Sequence, residues 1–412
     1  MTTMKKTFLT LLTLLPLSMA AQTFDFDLTK PQPMYNTEDG YGYDFLPAPD
    51  KKKPTEPFYF SVKVPDGNYL VRVVLGGKKN SNTTVRAEGR RLMMDNVQTK
   101  TAKDEQVVEF VVNKRSTLIE GDKRVKIKER EKDYLTWDEK LTLEFNGPMP
   151  AVKSIHVEKA DVPTIYLCGN STVVDQNNEP WASWGQMITR WFGPKVAISN
   201  HAESGLTART FIASYRLDKI LTTLKKGDYV FVEFGHNDEK EKRPGDGAWY
   251  HYQYQLKIFV DEVRKRGAEI VFCTPTQRRM FSEDRKSIVN THGDFPEAMC
   301  EVAAREHVPV IDLNAMTKTL FETLGYEDSK RALVHYPKEA YGKELADNTH
   351  FNPYGAYEVA KCVVMGMKQH HLPLVDYLRP EWQDFNPAQP DDWKTFQWAP
   401  SRMVENAKPD GN

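Results

Sequence analysis

Residues 166–174 read YLCGNSTVV, and the fold turns on how this stretch is taken. A short apolar run stops at Gly169-Asn170-Ser171-Thr172, and polar residues follow. Ser171 is either the cap of a new helix, since a Ser hydroxyl accepts from an unpaired N–H at a helix start, or a nucleophile displayed at a strand end. Outward from it, apolar β runs at 164–168, 196–199, 229–234, 269–273 and 308–311 alternate with helical patterns at 182–192, 213–225, 252–266, 296–306 and 354–369. Strands buried on both faces and separated by helices predict a parallel α/β sheet. Ligands of such sheets bind beyond the carboxyl ends of the strands.

Upstream, the period is two. Phe58, Phe60, Val62 and Val64 alternate with other residues, Pro65-Asp66-Gly67-Asn68 turns the chain, and Tyr69, Val71, Val73 and Leu75 repeat the pattern. Val108, Phe110 and Val112, then Leu141, Leu143 and Phe145, continue it. Short alternating strands without intervening helices predict an antiparallel sandwich. The lysine-rich GDKRVKIKEREKD (121–133) reads as a solvated strand or loop, and EKADVPT (158–164) as a linker. The expected division is a signal peptide over 1–21, a β-sandwich over 22–160, an α/β domain over 161–375 and a tail over 376–412 that wraps the surface through Trp382, Trp393 and Trp398.

The start of the chain has its own logic. Lys5 and Lys6 precede TFLTLLTLLPLSMAA, and Ser18-Met19-Ala20 supplies small residues for cleavage. This is the pattern of a secretory signal peptide, with the mature chain expected from Ala21 or Gln22 in the periplasm or medium. No later run is long enough for a transmembrane helix. The 412 residues carry a net charge of −1, with 40% hydrophobic and 27% charged residues, so nothing argues for nucleic acid or an anionic membrane as partner. Four cysteines admit two disulfides, but a chain of this length needs no staples, and buried free thiols are expected.

Other reactive groups fall at the same strand ends as Ser171. NHAESG follows the second strand and places Gly205 in a loop. YVFVEF runs into Gly235-His236-Asn237-Asp238, and DNTHFNPYG precedes the last helix with Asp347 and His350 three residues apart. Ester hydrolysis by a serine needs a base, a group that orients the base, and donors for the oxyanion. His350 can take the Ser171 proton because imidazole titrates near neutrality, and Asp347 can hold the imidazole. The N–H groups of Ser171 and Gly205 and the Asn237 amide are suitable oxyanion donors. Asp228 opens a strand and reads as a turn residue rather than the triad acid.

Gly-Asn-Ser-Thr, Asn-His-Ala-Glu-Ser-Gly, Gly-His-Asn-Asp and Asp-Asn-Thr-His, in this order over about 164–372, resemble the four blocks of the SGNH (GDSL-type) hydrolases. GDYVFVEFGHND and DNTHFNPYGAYEVA resemble the rhamnogalacturonan acetylesterase branch. The resemblance implies a flavodoxin-like three-layer α/β/α domain and a Ser-His-Asp mechanism with no metal and no cofactor. It assigns Ser171, His350 and Asp347 to the triad, and Ser171, Gly205 and Asn237 to the oxyanion site. One position departs from the pattern: Asn170 stands where the family has Asp, a change that bears on loop order more than on chemistry. The upstream sandwich resembles galactose-binding-like domains in size and strand pattern.

The expected substrate is an acetylated pectic polysaccharide. Arg278 and Arg279 follow the fourth strand and Arg209 follows Gly205, so each is a candidate for galacturonate carboxylates, against simple solvation. On that basis Arg279→Ala is expected to raise KM on polymer and spare a small aryl acetate. His236 beside Asn237 either touches substrate or makes a structural hydrogen bond. Trp181 and Trp184 either stack a sugar or, at helical spacing, belong to the core. A Gly-x-Ser-x-Gly elbow is absent because residue 173 is Val. DQNNEP has Pro180 where a calcium loop needs Gly, and no zinc helix occurs. Two rivals stand beside the esterase: a lipid-ester hydrolase on the same scaffold, which would need an apolar groove, and a polysaccharide-binding protein with a decayed hydrolase domain.

Overall fold

The computed structural model describes residues 23–49, 56–77 and 80–402. The expected signal peptide lies outside the described residues. Two antiparallel sheets form the first part. One orders Thr23–Asp27, Val152–Lys159, Gly67–Gly76 and Glu105–Lys114, and the other Tyr41–Asp44, Phe58–Lys63, Lys140–Met149, Ser81–Ala87 and Arg91–Thr99. Their inward side chains, among them Phe60, Val71, Val73, Phe110, Leu143 and Phe145, form one apolar core. That is the sandwich the alternating pattern predicts.

The chain then changes architecture within four residues, from the strand ending at Lys159 to the strand Thr164–Gly169. Five parallel strands order as Ala197–Asn200, Thr164–Gly169, Tyr229–Glu233, Glu269–Cys273 and Val310–Ile311. Sequence order 2-1-3-4-5 is the flavodoxin-like topology. Two apolar clusters, one on each face, bury the sheet. The helices Gln253–Arg264 and Phe295–Glu306 belong to one, and Pro353–Gln369 to the other.

Several elements differ from expectation. The 182–192 segment is one α turn, Trp184–Met187, followed by the 3-10 turn Ile188–Trp191. The helix expected over 213–225 is confined to Arg216–Leu221, and a further short helix, Ala208–Ala213, precedes it, with Tyr215 between them left-handed at φ 63°. A helix over Leu313–Asp328 was not anticipated, nor was the antiparallel hairpin of Leu333–Tyr336 with Leu345–Phe351. Cys168, Cys273 and Cys362 are buried free thiols, whereas Cys300 is free but exposed.

The two parts share a charged, buried contact. Arg216 pairs with Glu131, Arg91 with Asp175 at 3.1 Å, and Arg90 with Glu179 at 2.5 Å. The 121–133 segment is therefore not simply solvated: Glu131 is 1% exposed and Arg130 reaches Glu203. The described part of the tail packs on both parts. Trp382 stands edge-on to Trp191 at 5.1 Å, Trp398 donates to Glu179 at 3.1 Å, and Arg86 stacks over Trp398 at 4.0 Å.

Candidate active site

The strand Thr164–Gly169 ends in a turn that its own side chains organise. Asn170 Oδ1 accepts from the Thr172 N–H at 3.1 Å and from its hydroxyl at 2.9 Å, while the Asn170 carbonyl accepts from Val173 and Val174. An amide thus orders the loop. Gly169 is required here, because a Cβ would lie 2.5 Å from Val173 Cγ2. Gln176 donates to the Ser171 carbonyl at 2.7 Å and fixes the far side of the turn.

The hairpin strand Leu345–Phe351 carries the partners. Ser171 Oγ lies 2.8 Å from His350 Nε2, and His350 Nδ1 lies 2.8 Å from Asp347 Oδ2. The other Asp347 oxygen accepts from the N–H groups of Thr349 at 2.9 Å and His350 at 3.0 Å. Burial alone would raise the Asp347 pKa, but the hydrogen bond from His350 and its charge, with the two N–H donors, hold it well below the usual carboxylate range. Asp347 is therefore a carboxylate that fixes the imidazole with Nε2 toward the serine. All three residues are buried, Ser171 at 2% and His350 at 1% exposure.

The oxyanion candidates lie on adjoining loops. Gly205 has φ +79°, a backbone that favours glycine. Asn237 Nδ2 donates to the Leu206 carbonyl at 3.1 Å, which ties the third loop to the second and leaves one amide hydrogen to give. Asp238 reinforces this by accepting from Ala208 at 2.8 Å and Gly235 at 2.9 Å. Asp228, by contrast, accepts from Thr164 and Lys225 backbone at the opposite end of the strand, as a turn residue does.

The remaining candidates are held within the protein. Arg279 is buried: Nε donates to Ser329 Oγ at 2.9 Å and Nη1 to Asn348 Oδ1 at 3.3 Å, with Tyr326 O taking Nη2. It braces the hairpin rather than facing solvent. Arg278 pairs with Glu239 at 2.5 Å, and Arg209 with Asp246 at 2.8 Å and with Glu241. Both guanidinium groups are thus neutralised within the protein. Trp184 is 1% exposed and donates to Glu233, so it belongs to the core, as does Trp181. His236 is buried beside His292, with ring centroids 4.5 Å apart, and among the described residues neither ring nitrogen has a hydrogen-bond partner. Burial, then the nearby His292, pushes its pKa well below the ordinary value, so it stays neutral. Sequence reasoning missed Glu233, whose carboxyl sits under the Ser171 turn, 2.7 Å from Thr172 Oγ1. A glutamate ending an apolar strand is the only signal that marked it.

Glu241, Asp246 and His251 gather ligand atoms within 4.8 Å of one another. Arg209 already pairs with both carboxylates, so the group is an ion-pair cluster rather than a cation cage.

A serine, imidazole and carboxylate in hydrogen-bonded series at the carboxyl edge of a 2-1-3-4-5 sheet is the equipment of a serine ester hydrolase. Residues 167–357 match the GDSL-like Lipase/Acylhydrolase family, and the chain belongs to that family and is a carboxylic ester hydrolase. It is similar to rhamnogalacturonan acetylesterase RhgT of Bacillus subtilis (strain 168), with 42% identity over 219 residues that cover 52% of this chain and 93% of that protein. The probable rhamnogalacturonan acetylesterase YesY of the same organism is 32% identical over 217 residues, covering 52% of this chain and 95% of that protein. Among solved structures, Bacillus subtilis protein YxiM aligns over 85% of this chain and 99% of its own, at 21% identity and a TM-score of 0.48.

Proposed function

We propose that this protein is an exported carbohydrate O-acetylesterase that removes acetyl groups from rhamnogalacturonan or a related pectin. The carrying observation is the unbroken series Ser171–His350–Asp347, with 2.8 Å at each link. Ser171 Oγ attacks the acetyl carbonyl as its proton passes to His350 Nε2. Asp347 steadies the imidazolium, and the N–H groups of Ser171 and Gly205 with the Asn237 amide hold the oxyanion. Imidazolium then returns the proton to the departing sugar oxygen, which leaves an acetyl-Ser171 ester. Water, deprotonated by His350, adds to that ester and frees acetate.

The pectic substrate is favoured by the names of the relatives, two of which are a rhamnogalacturonan acetylesterase and a probable one. The small acyl group is favoured by burial of the nucleophile, since a serine 2% exposed admits acetyl more readily than a long chain. In this account 161–375 is the catalytic unit, 22–160 an accessory sandwich, and the leader over 1–21 directs export. The test is acetate release from acetylated rhamnogalacturonan, acetylated xylan and a long-chain aryl ester, with wild type and Ser171→Ala in parallel. Preferential, Ser171-dependent release from rhamnogalacturonan is expected. Turnover of the long-chain ester alone would replace this substrate with a lipid.

A further inference from the structure

A concavity of about 210 Å³ brings together three segments that are far apart in the chain. Glu179 and Pro180 come from the continuation of the Ser171 loop, Tyr336 and Tyr341 from the hairpin that carries His350, and Trp393 and Trp398 from the tail. The volume falls below the ~300–1,000 Å³ of drug-sized sites, so it suits one ring rather than an extended ligand. Its walls are aromatic: Tyr336 and Tyr341 meet edge-to-face at 5.1 Å, and Phe396 packs on Tyr354 at 5.6 Å.

The cleft also holds a cation. Arg331 lines it, exposed, with its guanidinium 4.7 Å from the Trp393 ring centroid. Among the described residues Arg331 makes no ion pair, whereas Arg209 and Arg278 are both paired with loop carboxylates and Arg279 is buried in hydrogen bonds to the hairpin. The Tyr341 hydroxyl likewise makes no hydrogen bond among the described residues. A guanidinium pre-set by stacking on an indole, with its fork unspent, is matched to a carboxylate. Aromatic faces beside it offer the apolar surface that the C–H side of a pyranose covers.

The cleft is physically coupled to the active site. His335, on its rim, has Nε2 2.9 Å from Asn348 Oδ1, and Asn348 lies between Asp347 and His350. The Ala182 N–H, just after Pro180, donates to the Phe351 carbonyl at 3.0 Å. Trp393 and Trp398 lie beyond the span that matches the hydrolase family, so the tail adds this wall to the shared domain.

We propose that this cleft is a glycan subsite that takes a uronate ring of the polysaccharide, with Arg331 on its carboxylate and the aromatic wall against its face. The choice of a uronate rests on the pectic substrate proposed above; the aromatic walls and the free guanidinium do not. The test uses full-length protein carrying Ser171→Ala, titrated with a short unacetylated oligogalacturonide and with a neutral galacto-oligosaccharide while tryptophan fluorescence is followed. Saturable quenching by the oligogalacturonide is expected, weakened about tenfold or more by Arg331→Ala, with Tyr341→Ala weakening it independently. In the Ser171-intact protein, Arg331→Ala should leave aryl acetate turnover unchanged and raise KM on polymer. Absent quenching, or equal binding of the neutral sugar that ignores Arg331, would overturn the subsite. Acetate release from rhamnogalacturonan without oligogalacturonide binding removes the cleft and keeps the esterase. Binding without such release keeps the cleft and removes the substrate.

Discussion

The Glu233 carboxyl lies 2.7 Å from the Thr172 hydroxyl, at the end of the strand whose Glu233 pairs in register with Gly169. Trp184 Nε1 donates to its other oxygen. Burial pushes the Glu233 pKa from 4.5 up to about 7, against the hydrogen bonds that lower it. The single Thr172 hydroxyl hydrogen has two acceptors in reach, Glu233 Oε1 at 2.7 Å and Asn170 Oδ1 at 2.9 Å, and serves one at a time. Between the two pKa values the folded state binds more protons than the unfolded one. Stability from this group therefore falls as pH rises from 4.5 to about 7. Glu233→Gln keeps a neutral acceptor in this site but cannot titrate, and should flatten that part of the slope. Thermal unfolding of both proteins across this window checks it; parallel curves would show that Glu233 is ionised throughout.

Asp347 offers a complementary test of the proposed mechanism. Its Oδ2 faces His350 Nδ1 at 2.8 Å and its Oδ1 accepts two backbone N–H groups. Asp347→Asn keeps the volume but presents either an amide donor or a neutral acceptor to the imidazole, which disfavours the tautomer that can deprotonate Ser171. On a small aryl acetate kcat should fall by about 10³–10⁴-fold with little change in KM. A loss below tenfold would remove Asp347 from the role proposed for it.

What the sequence revealed and what it hid follow from the range of the interactions. The alternation at Phe58–Val64 and the apolar runs that become the parallel strands are local, and so both architectures are legible in the sequence. Ser171, Gly205 and Asn237 follow the ends of parallel strands, where topology alone brings loops together, whereas His350 rides on the hairpin strand Leu345–Phe351, which lies outside that sheet. Arg279 gave no such cue, because its direction is set by Tyr326, Ser329 and Asn348, all at least 47 residues away in sequence. The helix Leu313–Asp328 escaped because its apolar residues are weakly patterned and Gly325 interrupts it at φ +76°. The 121–133 segment looks solvated residue by residue, and only the fold supplies Arg216 for Glu131.

The burial of Arg279 reverses the expectation drawn from its position after the fourth strand. Its side chain braces Asn348, between Asp347 and His350, and the backbone N–H of Arg279 donates to the Asn348 carbonyl at 2.8 Å. Arg279→Ala leaves Ser329 and the Tyr326 carbonyl without their charged partner, a loss of about 1.5–3 kcal/mol in stability. The hairpin that carries His350 loosens with it. Activity on polymer and on a small aryl acetate should therefore drop by the same factor, read as kcat/KM on both substrates. Loss confined to the polymer would restore the substrate-binding role.

The contact between the two architectures is tested at Glu131. Both of its oxygens lie 2.7 Å from Arg216 Nη2, Trp137 Nε1 donates to Oε1 at 3.0 Å, and each side chain of the ion pair is 1% exposed. A buried pair contributes little compared with an apolar replacement, but removal of one partner strands the other charge away from water. Glu131→Ala leaves Arg216 in that position, and a loss of about 3–5 kcal/mol is expected. Because Glu131 belongs to the sandwich side and Arg216 to the hydrolase, the damage should lower one shared calorimetric transition. Two resolved transitions, with the hydrolase unfolding at its wild-type temperature, would show that the sandwich contributes nothing to the stability of the catalytic part.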